Sequence, residues 1–146
     1  DADRASGRAR VIVADVNLLA YLLLGGPETG IAQEVLEKDS VWAAPILWRS
    51  EFRSILAAFM RQRGLGISEA WQAHELADGL LGAHAYTLGG ERVLQLVAST
   101  PCSAYDCEYV ALAEELQVRL VTSDREVLRH FPRIAVSPKA FVRGTA

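Results

Sequence analysis

The stretch Val11-Ile-Val-Ala-Asp15-Val-Asn17-Leu-Leu-Ala-Tyr-Leu-Leu-Leu24 places a short β-branched run directly before an acidic residue and a longer apolar run. Residues 10–14 predict a buried strand that ends at Asp15. The apolar run that follows predicts a short buried helix, because Gly25-Gly26-Pro27 stops it. A strand that passes directly into a helix is the opening unit of an α/β fold.

The same alternation continues along the chain. Further strands are predicted at residues 41–44, 85–88, 119–122 and 134–136, and further helices at residues 29–38, 46–63, 68–81, 91–98 and 103–117. Ser68 and Ser103 are the expected N-caps of the helices that they precede. This alternation predicts an α/β fold with a central, mainly parallel sheet of four to five strands and helices on both faces.

The composition and the first residues limit the kind of protein. The chain has 146 residues, of which 51% are hydrophobic and 23% charged, a balance typical of one globular domain. Its longest apolar run, residues 18–24, is far shorter than the roughly 20 residues of a membrane span. Residues 1–9 are charged and are expected to be a leader outside the fold, with a single domain over residues 10–146.

Two cysteines, Cys102 and Cys107, are too few for a disulfide framework and have no Cys/His cluster beside them that would bind zinc. They favour reduced thiols in a cytoplasmic protein. The 15 basic and 18 acidic residues give a net charge of −3, which by itself does not predict a nucleic-acid-binding protein.

Two acidic residues stand directly after predicted strands. Asp15 follows the first strand, and Asp124 follows Arg119-Leu-Val-Thr-Ser123. Parallel sheets bind their ligands beyond the carboxyl ends of their strands, so both residues are candidates for a site. Aspartate is also a good helix N-cap, and capping explains either residue alone.

Two more acids lie on predicted helices. Asp106 falls within the apolar arc formed by Tyr105, Tyr109 and later residues of helix 103–117, whereas Glu108 is expected to point away. An inward carboxylate is costly unless a cation or hydrogen-bond donors meet it. A capping box with Ser103 also explains this residue, and the two explanations are compatible.

Glu51 lies at the edge of the apolar stripe of helix 46–63, next to Trp48 and Ile55. From there it can point across the rim of a cleft, and a solvated helix face explains it equally well. If the four carboxylates converge, they repel one another, and an ion such as Mg²⁺ or Mn²⁺, which prefers oxygen ligands, removes the conflict. Acidic metal sites of this kind activate water and neutralise the charge that develops on a phosphodiester.

Taken in order, these residues resemble a PIN domain, the ribonuclease fold of VapC-like toxins in type II toxin–antitoxin systems. The resemblance covers residues 11–136. It rests on four motifs, which are Val11-Ile-Val-Ala-Asp15-Val-Asn17, Leu47-Trp-Arg-Ser-Glu51-Phe, Tyr105-Asp106-Cys-Glu-Tyr109-Val-Ala-Leu-Ala-Glu-Glu-Leu116, and Leu120-Val-Thr122-Ser123-Asp124. Two departures are mild: Val16 stands where threonine is common, and Gln117 where glycine often precedes the strand.

The resemblance implies a three-layer α/β/α sandwich with an acidic pocket that holds one or two Mg²⁺ or Mn²⁺ ions and hydrolyses RNA. Asp15, Asp106 and Asp124 would be the metal ligands, and Glu51 would orient the attacking water or a second ion. The implied supporting residues, which hold these carboxylates in place, are Asn17, Thr122 and Ser123.

The resemblance also implies partners. They are an RNA substrate, a second copy of the chain in a homodimer and, for a toxin, a cognate antitoxin that blocks the pocket. Arg49, Arg53 and Arg125 are candidate contacts to RNA phosphates, although an ordinary solvated face explains them as well. Without Asp15, Glu51, Asp106 and Asp124 the chain would have fourteen acidic and fifteen basic residues, so the negative charge is concentrated in the expected site.

Two other functions remain open from the sequence. A receiver-like signalling domain is also α/β and Mg²⁺-dependent, and Lys139 would be its phosphate-sensing lysine. It needs an acceptor aspartate at the end of a central strand, and residues 41–45 offer none. A non-catalytic domain that binds nucleic acid or protein beside a vestigial acidic pocket would retain the four acids without cleaving RNA.

Overall fold

The computed structural model describes residues 10–144, so the expected leader at residues 1–9 lies outside the described residues. Five parallel strands form one sheet in the order β3-β2-β1-β4-β5. The strands are β1 (Val11–Ala14), β2 (Val41–Pro45), β3 (Ala85–Tyr86), β4 (Leu120–Val121) and β5 (Ala135–Val136). The predicted α/β class is confirmed, and the sheet in the described chain is parallel throughout rather than mainly so.

Helices connect the strands and pack on the sheet. They are α1 (Val16–Leu24), α2 (Thr29–Lys38), α3 (Trp48–Arg63), α4 (Ile67–Leu81), α5 (Gly90–Ser99), α6 (Ala104–Leu116), α7 (Arg125–His130) and α8 (Pro138–Arg143). No helix among residues 10–144 is long and apolar enough to span a membrane. The two cysteines are buried and free.

Strand β1 is the centre of the fold. Ile12, Val13 and Ala14 are at most 1% exposed, because helices cover both faces of the sheet at this strand. β1 pairs with β4 so that Ala14 lies opposite Val121. This register brings Asp15, the residue after β1, beside the residues that follow β4.

The core next to the site is built from large side chains of strand β2 and helix α3. Trp42, Trp48 and Phe52 are fully buried, and Trp48 and Phe52 lie 6.4 Å apart between ring centroids. Full burial of side chains this large stabilises the fold by about 2 kcal/mol or more each. They hold the first turn of α3, which carries Glu51, against the sheet.

The structure differs from the sequence-based prediction at the start of one helix and in two short helices that were not predicted. α4 begins after an N-cap at Gly66, not at Ser68, and the Glu69 carboxylate accepts a hydrogen bond from the Gly66 amide at 3.1 Å. The short helices α7 and α8 are absent from the sequence-based prediction, since six residues are too few to show a helical period. α6 ends at Gln117 with φ of 57°, a left-handed conformation that favours glycine.

Candidate active site

The four candidate acids line one cavity at the carboxyl ends of β1 and β4. This acidic cavity has a volume of about 80 Å³. Its walls are formed by Asp15, Val16, Asn17, Glu51, Asp106, Tyr109, Leu120, Thr122, Asp124 and Val127. Acids from two strand ends and two helices therefore meet in a space that suits a small ion or a few water molecules.

Asp15 lies where β1 passes into α1. Its carboxylate caps the helix by accepting a hydrogen bond from the Leu18 amide at 2.8 Å, and it accepts a second from Thr122 Oγ1 at 2.5 Å. Burial raises the pKa of Asp15 to about 6, against the opposing effect of hydrogen bonds from Thr122, Leu18 and the Ser123 amide. The nearby charge of Asp124 raises this pKa further.

Asp124 lies where β4 leads into α7, in the same relation to its helix as Asp15 has to α1. Its carboxylate caps α7 by accepting a hydrogen bond from the Val127 amide at 3.0 Å. The Asp124 amide donates to Thr122 Oγ1 at 3.0 Å. The buried Thr122 hydroxyl thus joins the two acids, because it accepts from one residue and donates to the other.

Asp106 is held in the first turn of α6. Ser103 is the N-cap of this helix, as expected, and its hydroxyl accepts a hydrogen bond from the Asp106 amide at 3.0 Å. The Asp106 carboxyl is half-buried, and burial raises its pKa, with a further increase from the charge of Asp124. Hydrogen bonds from Ser103 act in the opposite direction. Capping and an inward position therefore occur together.

Glu51 reaches the cavity from the first turn of α3. Its Oε1 accepts a hydrogen bond from the Tyr109 hydroxyl at 2.7 Å. Burial raises the pKa of Glu51, the Tyr109 hydrogen bond lowers it, and the charges of Asp106, Asp15 and Glu108 raise it again.

The charges around the cavity share one sign. None of the residues of the described chain that line it is a lysine or an arginine. In the part of the chain that the structure describes, no three His, Cys, Asp or Glu side chains already lie close enough together to hold a metal ion. The donor set is nonetheless composed of oxygen atoms, which suits a hard divalent cation, and such a cation would relieve the repulsion among the acids.

The three residues expected to support the acids differ in their position and in their contacts. Asn17 lines the cavity from an exposed position, Thr122 is buried and bonds to Asp15, and Ser123 acts through its backbone amide. Side-chain support from Ser123 is not seen, since its side chain does not line the cavity.

None of the three candidate arginines lines the acidic cavity. Arg49 Nε donates to Asp78 Oδ1 at 2.8 Å, and Arg53 Nε donates to His74 Nε2 at 3.1 Å, so both link α3 to α4 outside the cavity. Arg125 is exposed and directly follows Asp124 at the start of α7. Of the three, its position is nearest to the acids along the chain.

One expectation for helix α6 is wrong, and one residue that lines the cavity was not expected there. Tyr105 is 63% exposed instead of buried. Glu108, which was expected to point away, does not line the cavity, although its charge raises the pKa of Glu51. Tyr109, expected as a core residue, lines the cavity. The sequence contains a signal for this position, because Tyr109 lies three residues after Asp106 and residues at this spacing share a helix face.

The sequence and the fold are similar to known proteins. The sequence profile described as PIN domain matches residues 12–135. The fold is similar to a chain of a toxin–antitoxin complex from Klebsiella pneumoniae, with a TM-score of 0.65 and 17% identity over 87% of this chain and 97% of that one. It is also similar to a protein from Pyrobaculum aerophilum, with a TM-score of 0.65 and 20% identity over 94% and 97% of the two chains. No curated protein matches the sequence.

Proposed function

This chain belongs to the PIN domain family, whose members are generally nucleases, and from that premise we propose that it is a Mg²⁺- or Mn²⁺-dependent endoribonuclease that hydrolyses RNA phosphodiester bonds. The observation that carries the proposal is the meeting of Asp15, Glu51, Asp106 and Asp124 around one cavity of about 80 Å³. Capping alone would explain each aspartate but gives no reason for four acids to share a space and repel one another.

The donor set fits a divalent cation. Asp15, Asp106 and Asp124 would hold one ion, or two with Glu51, through carboxylate oxygens. When bound, Mg²⁺ or Mn²⁺ supplies positive charge for the phosphodiester under attack and lowers the pKa of water. Thr122, the Ser123 amide and Asn17 would keep the carboxylates in place, as the hydrogen bonds to Asp15 illustrate.

Glu51 is the proposed proton acceptor. Its carboxylate lines the cavity, where it would accept a proton from the attacking water. Glu51 lies on α3 and Asp106 on α6, so two helices bring carboxylates to the same cavity.

RNA binding would depend on local charge. The cavity has no cationic side chain among the described residues, so a phosphate is attracted there only when a metal ion reverses the local sign. Arg125 is the proposed protein contact to phosphate at the rim. Arg49 and Arg53 are bound to Asp78 and His74 and would have to leave these partners to contact RNA.

A role as the toxin of a toxin–antitoxin pair is the finer part of the proposal. The fold is shared with a chain of a toxin–antitoxin complex, which supports a cognate antitoxin protein as partner. A homodimer and a cytoplasmic location remain predictions from the family resemblance. Light scattering of the purified protein tests the dimer, and copurification with the product of the neighbouring reading frame tests the antitoxin.

Asp106→Asn tests the nuclease. This substitution keeps the side-chain volume and the Ser103 cap but removes one negative charge from the cavity. We expect it to reduce cleavage of total RNA at least about 100-fold, and we expect a chelator to abolish cleavage by the wild type.

The matched control is Glu115→Gln, which removes the same charge from an exposed position on the same helix and should cleave like the wild type. Cleavage that survives the chelator or Asp106→Asn would contradict the proposal. Absence of Mn²⁺ binding in calorimetry would favour the non-catalytic binding domain instead.

A further inference from the structure

The hydrogen bond between Tyr109 and Glu51 joins helices α6 and α3 at the cavity. Tyr109 is 4% exposed, and its hydroxyl donates to Glu51 Oε1 at 2.7 Å. It lies three residues after Asp106 and therefore on the same face of α6, one turn further along the helix. The ring fills the wall of the cavity, and the hydroxyl reaches the acid that comes from the opposite helix.

A buried tyrosine hydroxyl needs a hydrogen-bond partner, and most find one without any functional consequence. The Tyr109 hydroxyl differs from these, because it donates to a carboxylate that lines the candidate active site. Hydrogen bonds to an ionised acceptor are about twice as strong as those between neutral groups, so this bond fixes the carboxylate firmly. Burial and the charge of Glu51 both raise the pKa of Tyr109, which keeps the phenol protonated and therefore a donor.

The other charged groups near Glu51 act against its ionised form. Asp106, Asp15 and Glu108 each raise the pKa of Glu51, whereas the Tyr109 hydroxyl lowers it. The hydroxyl thus supplies hydrogen-bond stabilisation to a carboxylate that its charged neighbours repel. It uses Oε1 for this purpose, so the bond does not occupy the second carboxylate oxygen.

We propose that Tyr109 is a positioning residue that holds the Glu51 carboxylate in the cavity for the hydrolysis of RNA. The inference rests on the proposed nuclease function and adds to it a residue outside the four acids. Tyr109 itself is too buried to meet the RNA, so it acts through Glu51 and not on the substrate.

Tyr109→Phe is the decisive variant, because it removes the hydroxyl and leaves the ring that packs in the wall. We expect kcat for RNA cleavage to fall about 10- to 100-fold, the usual effect of losing a group that orients an active-site ligand or acid. KM for RNA should change less than about twofold, since the substrate loses no contact. Tyr105→Phe is the control: it removes an exposed hydroxyl outside the cavity on the same helix and should leave kcat unchanged.

A double-mutant cycle with Glu51→Ala separates positioning from a general structural role. If Tyr109 acts through Glu51, Tyr109→Phe should reduce the remaining activity of Glu51→Ala less than about twofold. The cycle is repeated without metal by urea unfolding, where the shifts in midpoint of the two single variants should not add up in the double variant. Additive losses in both measurements would overturn the inference.

The outcomes distinguish this inference from the proposed function. A wild type that neither cleaves RNA nor binds Mn²⁺ would overturn the nuclease and, with it, the role of Tyr109. A wild type that cleaves RNA, beside a folded Tyr109→Phe protein with unchanged kcat, would overturn only the positioning role. A similar loss of kcat in Tyr105→Phe would also overturn only the positioning role, because Tyr105 does not line the cavity.

Discussion

The carboxylate of Asp15 both caps a helix and lines the candidate active site. It caps α1 through the Leu18 amide and accepts from Thr122, and it is still buried enough to have a pKa of about 6. The hydrogen bonds stabilise the ionised carboxylate, but the pKa is still raised, because the cost of burying the charge exceeds this stabilisation. An acid kept at this cost is consistent with a role that requires it, which is why Asp15 is informative beyond its cap.

Replacing Asp15 by asparagine tests this imbalance without metal. In the unfolded chain an aspartate ionises near pH 4, whereas in the folded protein Asp15 ionises near about 6, so folding holds its proton more tightly. The free energy of unfolding of the wild type should therefore fall as the pH rises from about 4 to about 6. Asp15→Asn lacks the part of this loss that comes from Asp15, and above pH 6 it should be more stable than the wild type by up to about 3 kcal/mol.

Urea unfolding at a series of pH values, with a chelator present, measures the difference. Glu115→Gln is the control, because it removes an exposed acid of the same charge and should change stability by less than about 0.5 kcal/mol. A wild type that gains stability over Asp15→Asn as the pH rises would show that the pKa of Asp15 is not raised in the folded protein.

At the scale of elements, the sequence predicted the helices of nine or more residues, because an apolar run or a repeated pattern and its stop signals extend over at least two turns. Helix Val16–Leu24 and helix Thr29–Lys38 have the predicted bounds, and α6 begins after the predicted cap. The short helices α7 and α8 could not be predicted from periodicity, and they are defined by caps at Asp124 and Ser137. In α7 the cap is also a candidate site acid, so helix and site depend on one side chain.

Two substitutions at Asp124 separate its two roles. Asparagine is as good an N-cap as aspartate, so Asp124→Asn should keep the hydrogen bond to the Val127 amide and stay within about 0.5 kcal/mol of the wild type. Asp124→Ala loses the cap and should cost about 1 kcal/mol. Both remove the charge, and both should lower RNA cleavage by a similar factor.

The comparison is made by urea unfolding and by cleavage of the same RNA. Ser137→Ala removes the equivalent cap of α8, far from the acids along the chain, and should cost similar stability with cleavage unchanged. If Asp124→Asn cleaves RNA like the wild type, Asp124 is a helix cap and not a site acid.

At the scale of the whole molecule, periodicity and spacing singled out the four acids one by one, whereas only the family resemblance implied that they meet in one pocket. The sequence places Asp15 and Asp124 after strands, and the register of β1 on β4 then brings them together. Register and helix packing are long-range properties, so the partners of Arg49 and Arg53 and the contact of Tyr109 with Glu51 were beyond a reading of local pattern. The net charge of −3 is likewise a property of the whole chain, and it does not report that four of the acids line one cavity.

If a divalent cation offsets the repulsion in that cavity, it should stabilise the entire fold. A ligand present at about 100 times its Kd adds about 2.7 kcal/mol to the free energy of unfolding, which raises the Tm of a domain of this size by roughly 5–10 °C. Thermal melts of the wild type with Mn²⁺ and with chelator measure this increase. It should become smaller as the pH falls below about 6, because a proton on Asp15 then competes with the ion. Asp106→Asn should lose most of the increase and Glu115→Gln should keep it, whereas an equal increase in both variants would place the ion outside the acidic cavity.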